Sequence, residues 1–364
     1  MKLFTKIPKD WYIITGVFAL LSIIFYTYIY FNTPLGFGPL YRNWDGPSYI
    51  VIAKSFYNPI LIEKFAVIKE LQQYYYAAHF PLYSVLIRAF SFIGYYQATI
   101  VVSQIFTLLG ALAIYELFKL LKIREPLVLS LTSLIFTPRW FVVSHTGSSE
   151  PIFMFFLIMF LINFFKGKHL SGAIWAMLAQ FTRSQGILIF AGIGLYYLYE
   201  FAIKRINFVE LVKSVAQYLT IPIALISVFT LYYFQFGTFF AFFKALGSYG
   251  HLGTPFRMFG FYNDSSIIFP LEVMIYLYLL YGIAVFKLIS EKAYKLVAFA
   301  IPFFLPIPLL NHLDVSRYAI PLLPFVLIAY QHFFGQRYVK IAMILSIPAT
   351  MVWAAAIIVF NQTI

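Results

Sequence analysis

Long apolar runs separated by short polar connections make up most of this chain. The first run extends from Trp11 to about Tyr30; it is longer than the core of a secretory signal and lacks a small-residue cleavage site. Because about 20 apolar residues cross the hydrocarbon core of a bilayer, the pattern predicts about 11 transmembrane helices. The later runs lie at roughly 96–118, 126–143, 150–166, 169–182, 187–203, 212–234, 268–287, 294–310, 316–334 and 338–360.

Two of these runs, 169–182 and 187–203, fit either one broken helix or two short helices. Residues 31–95 form a long first outer loop, in which SYIVIAKSFY and FPLYSVLIRAFSFIG predict amphipathic helices on the membrane surface. A second outer loop, 235–266, is rich in Phe, Gly and Tyr. The predicted fold class is therefore all-α, with a single polytopic membrane domain over residues 1–364.

The composition excludes a soluble protein. Hydrophobic residues make up 62% of the chain and charged residues 11%, and the mean hydropathy is +0.85. A soluble domain carries about 25% charged residues, so this chain cannot cover a water-facing surface of ordinary size. Cysteine is absent, which excludes structural disulfides and thiolate metal sites.

Positive charge is in excess, with 26 Lys and Arg against 13 Asp and Glu and a net charge of +13. Most of the basic residues fall in the N-terminal segment and in alternate connections, which is the positive-inside pattern. This pattern predicts a cytoplasmic N-terminus, and it explains the excess without a nucleic-acid partner. The residues concerned are Lys2, Lys6, Lys9, Lys119, Lys122, Arg124, Lys166, Lys168, Lys204, Arg205, Lys213, Lys287, Lys292, Lys295, Arg337 and Lys340.

Three acidic residues, Asp45, Glu150 and Asp314, have no routine role at an inner helix end. Each lies where a predicted outer loop meets a span, and ionisable groups at membrane depth are costly unless paired, so they indicate function. Two alternatives stay open: Glu150 could cap the helix that follows it, and Asp314 could pair locally with Arg317. Asp45, in YRNWDGPSY, is in a tight turn rather than at an ordinary helix end.

Arg183, in QFTRSQGIL, is the basic residue best placed for a ligand. A guanidinium beside the start of the following helix could hold a phosphate bidentately; the alternative is an arginine that snorkels to the interface. His79, His145 and His312 fall on the same predicted side. Their spacing matches no metal-ligand motif, so we expect no obligatory metal, although a divalent ion is compatible with the sequence.

Four short elements then resemble, in order, those of a known family. NWDGPSYIVIA, HFPLY, SSEP and TRSQG are similar to elements of the membrane mannosyltransferases related to the second mannosyltransferase of GPI-anchor synthesis, a branch of the GT-C glycosyltransferases. The resemblance covers roughly residues 10–200. It departs from the family where His79 replaces an aromatic residue, Pro151 follows Glu150, and Gln185 replaces an Asn.

The resemblance implies an inverting glycosyltransferase that moves a sugar from a polyprenyl (dolichyl) phosphate donor to a glycolipid or glycan acceptor on the non-cytoplasmic face. Mannose is the sugar that the resemblance favours. Asp45 would be the general base, and Arg183, Arg317 and His79 would bind the donor phosphate. The host membrane would be the plasma membrane of a prokaryote or the endoplasmic reticulum of a eukaryote. The candidates for sugar or acceptor binding are Glu150, Trp44, Tyr49, His145, His312, Asp314 and Tyr318.

Two other functions fit the same pattern. A GT-C-like protein without turnover could bind the lipid-linked sugar or act as an accessory subunit. A transporter or lipid flippase would share the helix number, the broken helix and the charges at membrane depth. Transporters usually place such charges at the midplane, whereas here they gather at the predicted outer boundary, which favours the glycosyltransferase.

Overall fold

The chain folds into helices throughout the part that the structure, a computed structural model, describes. That part comprises residues 8–33, 35–66, 73–249, 254–256, 259, 268–310 and 314–360. Within these ranges all regular secondary structure is helical, which confirms the predicted all-α class.

The N-terminal part is one long helix followed by short ones. Its helices are α1 (Lys9–Asn32), α2 (Gly38–Tyr41), α3 (Gly46–Ser55), α4 (Pro59–Phe65) and α5 (Pro81–Ala89), with a 3-10 turn at Gln73–Ala78. A proline stands in the first turn of α2, α3, α4 and α5. Proline suits that turn because the first residues of a helix need no backbone N–H donor.

The central part contains the predicted pair of short helices near Arg183. Its helices are α6 (Tyr95–Leu120), α7 (Pro126–Ile135), α8 (Pro138–His145), α9 (Glu150–Phe165), α10 (His169–Thr182), α11 (Ile187–Ala202), α12 (Phe208–Ala216), α13 (Thr220–Phe236) and α14 (Ala241–Tyr249). Two separate helices, α10 and α11, occupy 169–203. Arg183 is extended between them, and a 3-10 turn follows at Ser184–Gly186. A Cβ on Gly186 would lie 2.4 Å from the Cα of Gln180, so the turn needs a glycine.

The C-terminal part is more broken than its apolar runs indicate. Its helices are α15 (Ile268–Ser290), α16 (Tyr294–Phe304), α17 (Val315–Tyr318), α18 (Leu323–Ala329), α19 (Gln331–Phe334) and α20 (Arg337–Phe360). The run predicted at 316–334 is thus divided among α17, α18 and α19.

Several helices are long and apolar enough to cross a membrane. Among the described residues there are five, or up to seven if the bent pairs α7–α8 and α12–α13, with bends of 74° and 45°, each count as one span. Three further apolar helices have 10–17 residues. The architecture is that of a multi-pass membrane protein.

Helix α3 is placed differently from its prediction. The sequence pattern predicts a helix on the membrane surface, but the residues from Tyr49 to Ala53 are at most 4% exposed. The helix packs against α4, α5 and α6, so protein rather than the membrane surface covers it on several sides. Helix α5 keeps an exposed face, with Val85 44% exposed.

Basic connections gather at one end of the helices. Trp11 donates from Nε1 to Glu116 at 3.0 Å, which joins the start of α1 to the end of α6. Lys340 and Glu125 form an ion pair between α20 and the start of α7. Two tyrosine rings 4.8 Å apart join the end of α11 to the start of α16. We call this the basic end; its connections are 121–125, 166–168, 203–207, 291–293 and 335–336. The opposite end, with the starts of α3, α9 and α17, is called the site end.

Candidate functional site

Two carboxylates from distant parts of the chain meet on one arginine at the site end. The Nη1 of Arg317, in the one-turn helix α17, lies 2.8 Å from Oδ2 of Asp45, and its Nε donates to Oε1 of Glu150. Asp45 immediately precedes α3, and Glu150 begins α9. Arg317 therefore ties the first loop and α9 to the C-terminal part.

Glu150 is shared with a second arginine. The Nη1 of Arg183 lies 2.6 Å from Oε1 of Glu150 and donates to Oγ of Ser149 at 2.9 Å. The hydroxyl of Tyr49 donates to the same Oγ at 2.9 Å, and the hydroxyl of Ser148 donates to Oε2 of Glu150. The Glu150 side chain is 3% exposed, so a charge at this position requires these partners.

Two glycines bring these segments together. A Cβ on Gly46 would stand 3.3 Å from the carbonyl oxygen of Gly147, and a Cβ on Gly147 would stand 2.8 Å from Oγ1 of Thr99. The start of α3 and the turn before α9 can approach closely because both positions lack a side chain. This approach puts Asp45 and Glu150 within reach of one guanidinium.

Asp45 has a second set of contacts on its other oxygen. The Nε2 of His79 lies 3.3 Å from Oδ1, and the hydroxyl of Tyr75 donates to the same atom at 3.2 Å. Burial alone would raise the pKa of Asp45, but the charges and hydrogen bonds of Arg317 and His79 hold that pKa well below its usual range. With 26% of its side chain exposed, Asp45 is an ionised carboxylate that a ligand can reach.

A further ion pair adjoins those of Arg317 through an aromatic ring. The Nε of Arg139 lies 2.8 Å from Oδ1 of Asp314. The guanidinium carbons of Arg139 and Arg317 lie 4.7 Å and 5.3 Å from the ring of Trp44, which both charges contact by cation–π interaction. Burial raises the pKa of Asp314 to about 6, against the opposing charges of Arg139 and Arg317.

Arg139 is a residue of this cluster to which the sequence assigned no role. It stands in TPRW at the start of α8, and its partners Trp44 and Asp314 come from the first loop and from the segment before α17. Its predicted outer position was the one feature of the sequence that pointed to Arg139. Contacts between residues so far apart in the chain leave no local sequence pattern.

His145 lies apart from the cluster. Its Nε2 is 3.3 Å from the hydroxyl of Ser22, and its Nδ1 is 2.8 Å from the carbonyl oxygen of Phe141. The ring stacks on Phe141 at 4.2 Å and meets Phe25 edge to face at 5.1 Å. At 2% exposure, His145, the last residue of α8, is enclosed against α1, whereas the sequence predicts it in contact with a sugar or acceptor.

Tyr318 adjoins the cluster through its backbone. Its carbonyl oxygen accepts from Nε2 of Gln185 at 3.2 Å, and Oε1 of Gln185 accepts from Nε of Arg183 at 3.3 Å. Gln185 thus joins the turn between α10 and α11 to α17. His312 lies outside the described residues.

The cluster keeps hydrogen-bond donors for a ligand. The contacts of Arg183 and Arg317 use Nε and Nη1 of each guanidinium; among the described residues, neither Nη2 has a protein partner. Planar guanidinium donors match the oxygens of phosphate and carboxylate groups. The site can therefore accept an anion beside the exposed oxygens of Asp45.

Comparison with known proteins adds no relative to this description. No protein-family model matches the chain, and no curated protein matches it in sequence. Within the ranges that the structure describes, no group of three or more His, Asp or Glu residues could hold a metal ion. The site is defined by its own groups, which are three carboxylates, three guanidinium groups and one imidazole.

Proposed function

We propose that this chain is an inverting glycosyltransferase of the GT-C type, with about 11 membrane helices, that uses a polyprenyl-phosphate-linked sugar. The acceptor is a glycolipid or a glycan, and mannose is the sugar that the sequence resemblance favours. In this proposal the site end faces the non-cytoplasmic side and the N-terminus is cytoplasmic, in agreement with the basic connections at the opposite end.

One arrangement carries the proposal. Asp45, ionised and exposed in part, lies beside two guanidinium groups that keep open donors. A proton acceptor next to an anion site is what transfer from a phosphate-linked sugar requires. The cluster also lies at the ends of membrane helices, where a lipid-linked donor presents its head group.

The reaction assigned to Asp45 is proton removal from the acceptor. The acceptor hydroxyl oxygen forms a bond to the anomeric carbon while the bond from that carbon to the phosphate oxygen breaks. The hydroxyl proton passes to a carboxylate oxygen of Asp45, and the polyprenyl phosphate leaves with the electron pair. Attack opposite the phosphate inverts the configuration. The lowered pKa keeps Asp45 ionised. This weak base can still accept the proton because the hydroxyl becomes strongly acidic as its oxygen bonds to carbon, so the proton moves late.

The arginines act on the leaving group. The donor is a phosphodiester and the product a phosphate monoester, so negative charge grows on the phosphate as the bond breaks. The Nη2 groups of Arg183 and Arg317 would donate to that phosphate. Glu150 is then a positioning residue, because its buried carboxylate pairs with both guanidinium groups. His79, on the opposite oxygen of Asp45 from Arg317, would orient the base rather than bind the phosphate.

A transfer assay tests the proposal. The purified protein in nanodiscs is offered a panel of radiolabelled polyprenyl-phosphate sugars with a membrane lipid extract as acceptor. We expect one labelled glycolipid product, and a loss of about 100-fold or more in its rate for Asp45→Asn, with donor binding retained. Glu63→Gln is the matched control, because Glu63 is an exposed acid of the same loop and its variant should keep the wild-type rate.

Other outcomes would replace the proposal. Transfer by Asp45→Asn at close to the wild-type rate would remove Asp45 as the base. Donor binding by the wild-type protein with no product from any sugar would favour the non-catalytic alternative. Movement of the labelled donor between leaflets without product would favour a transporter. Donor binding that is unchanged in Arg183→Ala would move the phosphate site elsewhere.

A further inference from the structure

The connection between α11 and α12 forms an open cavity at the basic end. Its volume of about 580 Å³ is open to the surroundings and is lined by Phe201, Ala202, Lys204, Arg205, Ile206 and Asn207. Residues Phe201–Asn207 are here called the α11–α12 corner. Two backbone hydrogen bonds cap the C-terminal end of α11. The N–H of Lys204 donates to the carbonyl of Phe201 at 2.9 Å, and the N–H of Arg205 donates to the carbonyl of Glu200 at 3.0 Å. Lys204 adopts a left-handed φ of 58° to make this turn. The chain then enters α12.

The α11–α12 corner carries more positive charge than its neighbours neutralise. Arg205 pairs with Glu200 at 3.3 Å, but its side chain remains 66% exposed. Glu210 is occupied by the capping box of α12, where it accepts from the backbone N–H of Asn207 at 2.8 Å. Within the described residues, Lys204 has no acidic partner within ion-pair distance. An anion entering the cavity would therefore meet Lys204 and Arg205 together.

The surroundings of this cavity are apolar and face outward. Phe208 is 64% exposed, Val209 58% and Val212 50%, and together they form one side of α12. Helix α12 joins α13 in a bent pair that is apolar enough for a span, and α11 with its preceding turn qualifies as a span by itself. The connection between two spans lies at a membrane boundary, so this apolar side of α12 contacts lipid.

We propose that the α11–α12 corner binds an anionic glycerophospholipid. The phosphate of its head group is held by Lys204 and Arg205, and its acyl chains lie along Phe208 and Val212. Charge complementarity and the exposed apolar side of α12, which begins directly after Asn207 in the cavity lining, favour a lipid over a soluble phosphate. The site does not depend on the proposed enzyme activity. It lies beyond the opposite end of α11 from Arg183, a separation of about 24 Å for a 16-residue helix.

Lipid selectivity in nanodiscs tests this proposal. The probe is spin-labelled phosphatidylglycerol at low mole fraction in phosphatidylcholine nanodiscs, and the measurement is the motionally restricted lipid bound per protein. We expect the double variant Lys204→Gln/Arg205→Gln to bind phosphatidylglycerol at least about fivefold more weakly than the wild type does. Spin-labelled phosphatidylcholine should show no difference between the two proteins.

The matched control is Lys166→Gln/Lys168→Gln. It removes two exposed basic residues from another connection of the basic end and should keep wild-type binding. Equal loss in both double variants would mean general attraction to the membrane surface and would overturn the proposed site. Competition by soluble glycerol phosphate as effective as that by phosphatidylglycerol would overturn the lipid assignment.

Two single variants keep the test decisive if the double variant does not fold. Lys204→Gln leaves the pair between Arg205 and Glu200 intact. It should change the logarithm of the dissociation constant for phosphatidylglycerol by about half as much as the double variant does. Phe208→Gln keeps both charges and should also weaken binding of phosphatidylglycerol, because it removes contact with the acyl chains. Unchanged binding in both single variants would contradict the proposal.

Discussion

The two ends of α11 place arginines in opposite physical situations. Arg183, just before the helix, is 13% exposed and shares Glu150 with Arg317. Arg205, three residues after the helix, is 66% exposed and has one carboxylate at 3.3 Å. Transferring a charge from water into the protein interior costs several kcal/mol, so the buried arginines need carboxylate partners. The exposed arginine is solvated and can exchange its partner for a ligand.

This contrast separates a rigid site from an adaptable one. At the site end, Glu150 holds two guanidinium groups and Trp44 contacts two, so each charge is positioned by more than one neighbour. A prearranged set of charges favours electrostatic stabilisation of a reaction. At the basic end, exposed lysines and arginines are solvated and can exchange partners, which suits the lipid binding proposed for this end.

The largest expected effect comes from removing Arg317. Arg317→Ala leaves the carboxylates of Asp45 and Glu150 without their shared partner, and we expect the free energy of unfolding to fall by about 3–5 kcal/mol. Unfolding in mixed detergent micelles with increasing dodecyl sulfate measures it. Arg205→Ala, at the exposed end, should lose less than about 1 kcal/mol. Similar losses in the two variants would remove the contrast between the ends.

Trp44 tests the aromatic link between the ion pairs. Trp44→Leu removes the ring that Arg139 and Arg317 both contact, and we expect a loss of about 1–2 kcal/mol in the same unfolding measurement. Trp353→Leu is the control, because among the described residues the Trp353 ring has one cationic partner, Arg139 at 5.7 Å, and is 39% exposed. A larger loss for Trp353→Leu than for Trp44→Leu would contradict the linking role.

The pH dependence of stability tests the burial of Asp314. The pKa of Asp314 is raised from 3.8 to about 6 in the folded protein, so the folded state binds this proton more tightly than the unfolded state. Its contribution to stability is full below pH 4 and is lost as the pH rises through 6. Between pH 5 and 7 the loss is about 1 kcal/mol.

Comparison with Asp314→Asn isolates this contribution. The variant should lack that pH-dependent part of the unfolding free energy, while the wild type keeps it. Asp45 does not mask the effect, because its lowered pKa places its own titration below this range. A difference in stability between the wild type and the variant that stays constant from pH 5 to 7 would contradict the raised pKa, because it would show that Asp314 is charged throughout that range.

The smallest expected effect is at an exposed pair of the basic end. Lys340 and Glu125 have side chains 34% and 45% exposed. A double-mutant cycle of Lys340→Gln and Glu125→Gln should give a coupling below about 0.5 kcal/mol that decreases with salt. A coupling of several kcal/mol that persists at high salt would mean that the basic end is as desolvated as the site end.

Much of the helix pattern could be predicted because it depends on local periodicity and length. The long runs at 96–118 and 338–360 correspond closely to α6 and α20. The run at 316–334 does not, because Pro321 and Pro324 separate α17 from α18, and a further break at Tyr330 separates α18 from α19. The surface position predicted for α3 was wrong, since hydropathy alone cannot tell contact with lipid from contact with protein.

The amino-acid sequence by itself determined the all-helical membrane class and the short list of charged residues without a routine role. Asp45 and Glu150 were identifiable because acids are scarce in this chain. Arg183 and Arg317 were identifiable because they lie at predicted outer ends of apolar runs. The tertiary structure decided which of these charges touch. It made Arg317 the bridge between Asp45 and Glu150, added Arg139 through Trp44, and enclosed His145, at the end of α8, against α1. These outcomes depend on contacts between distant segments, such as the close approach of Gly46 and Gly147, which local sequence patterns do not encode.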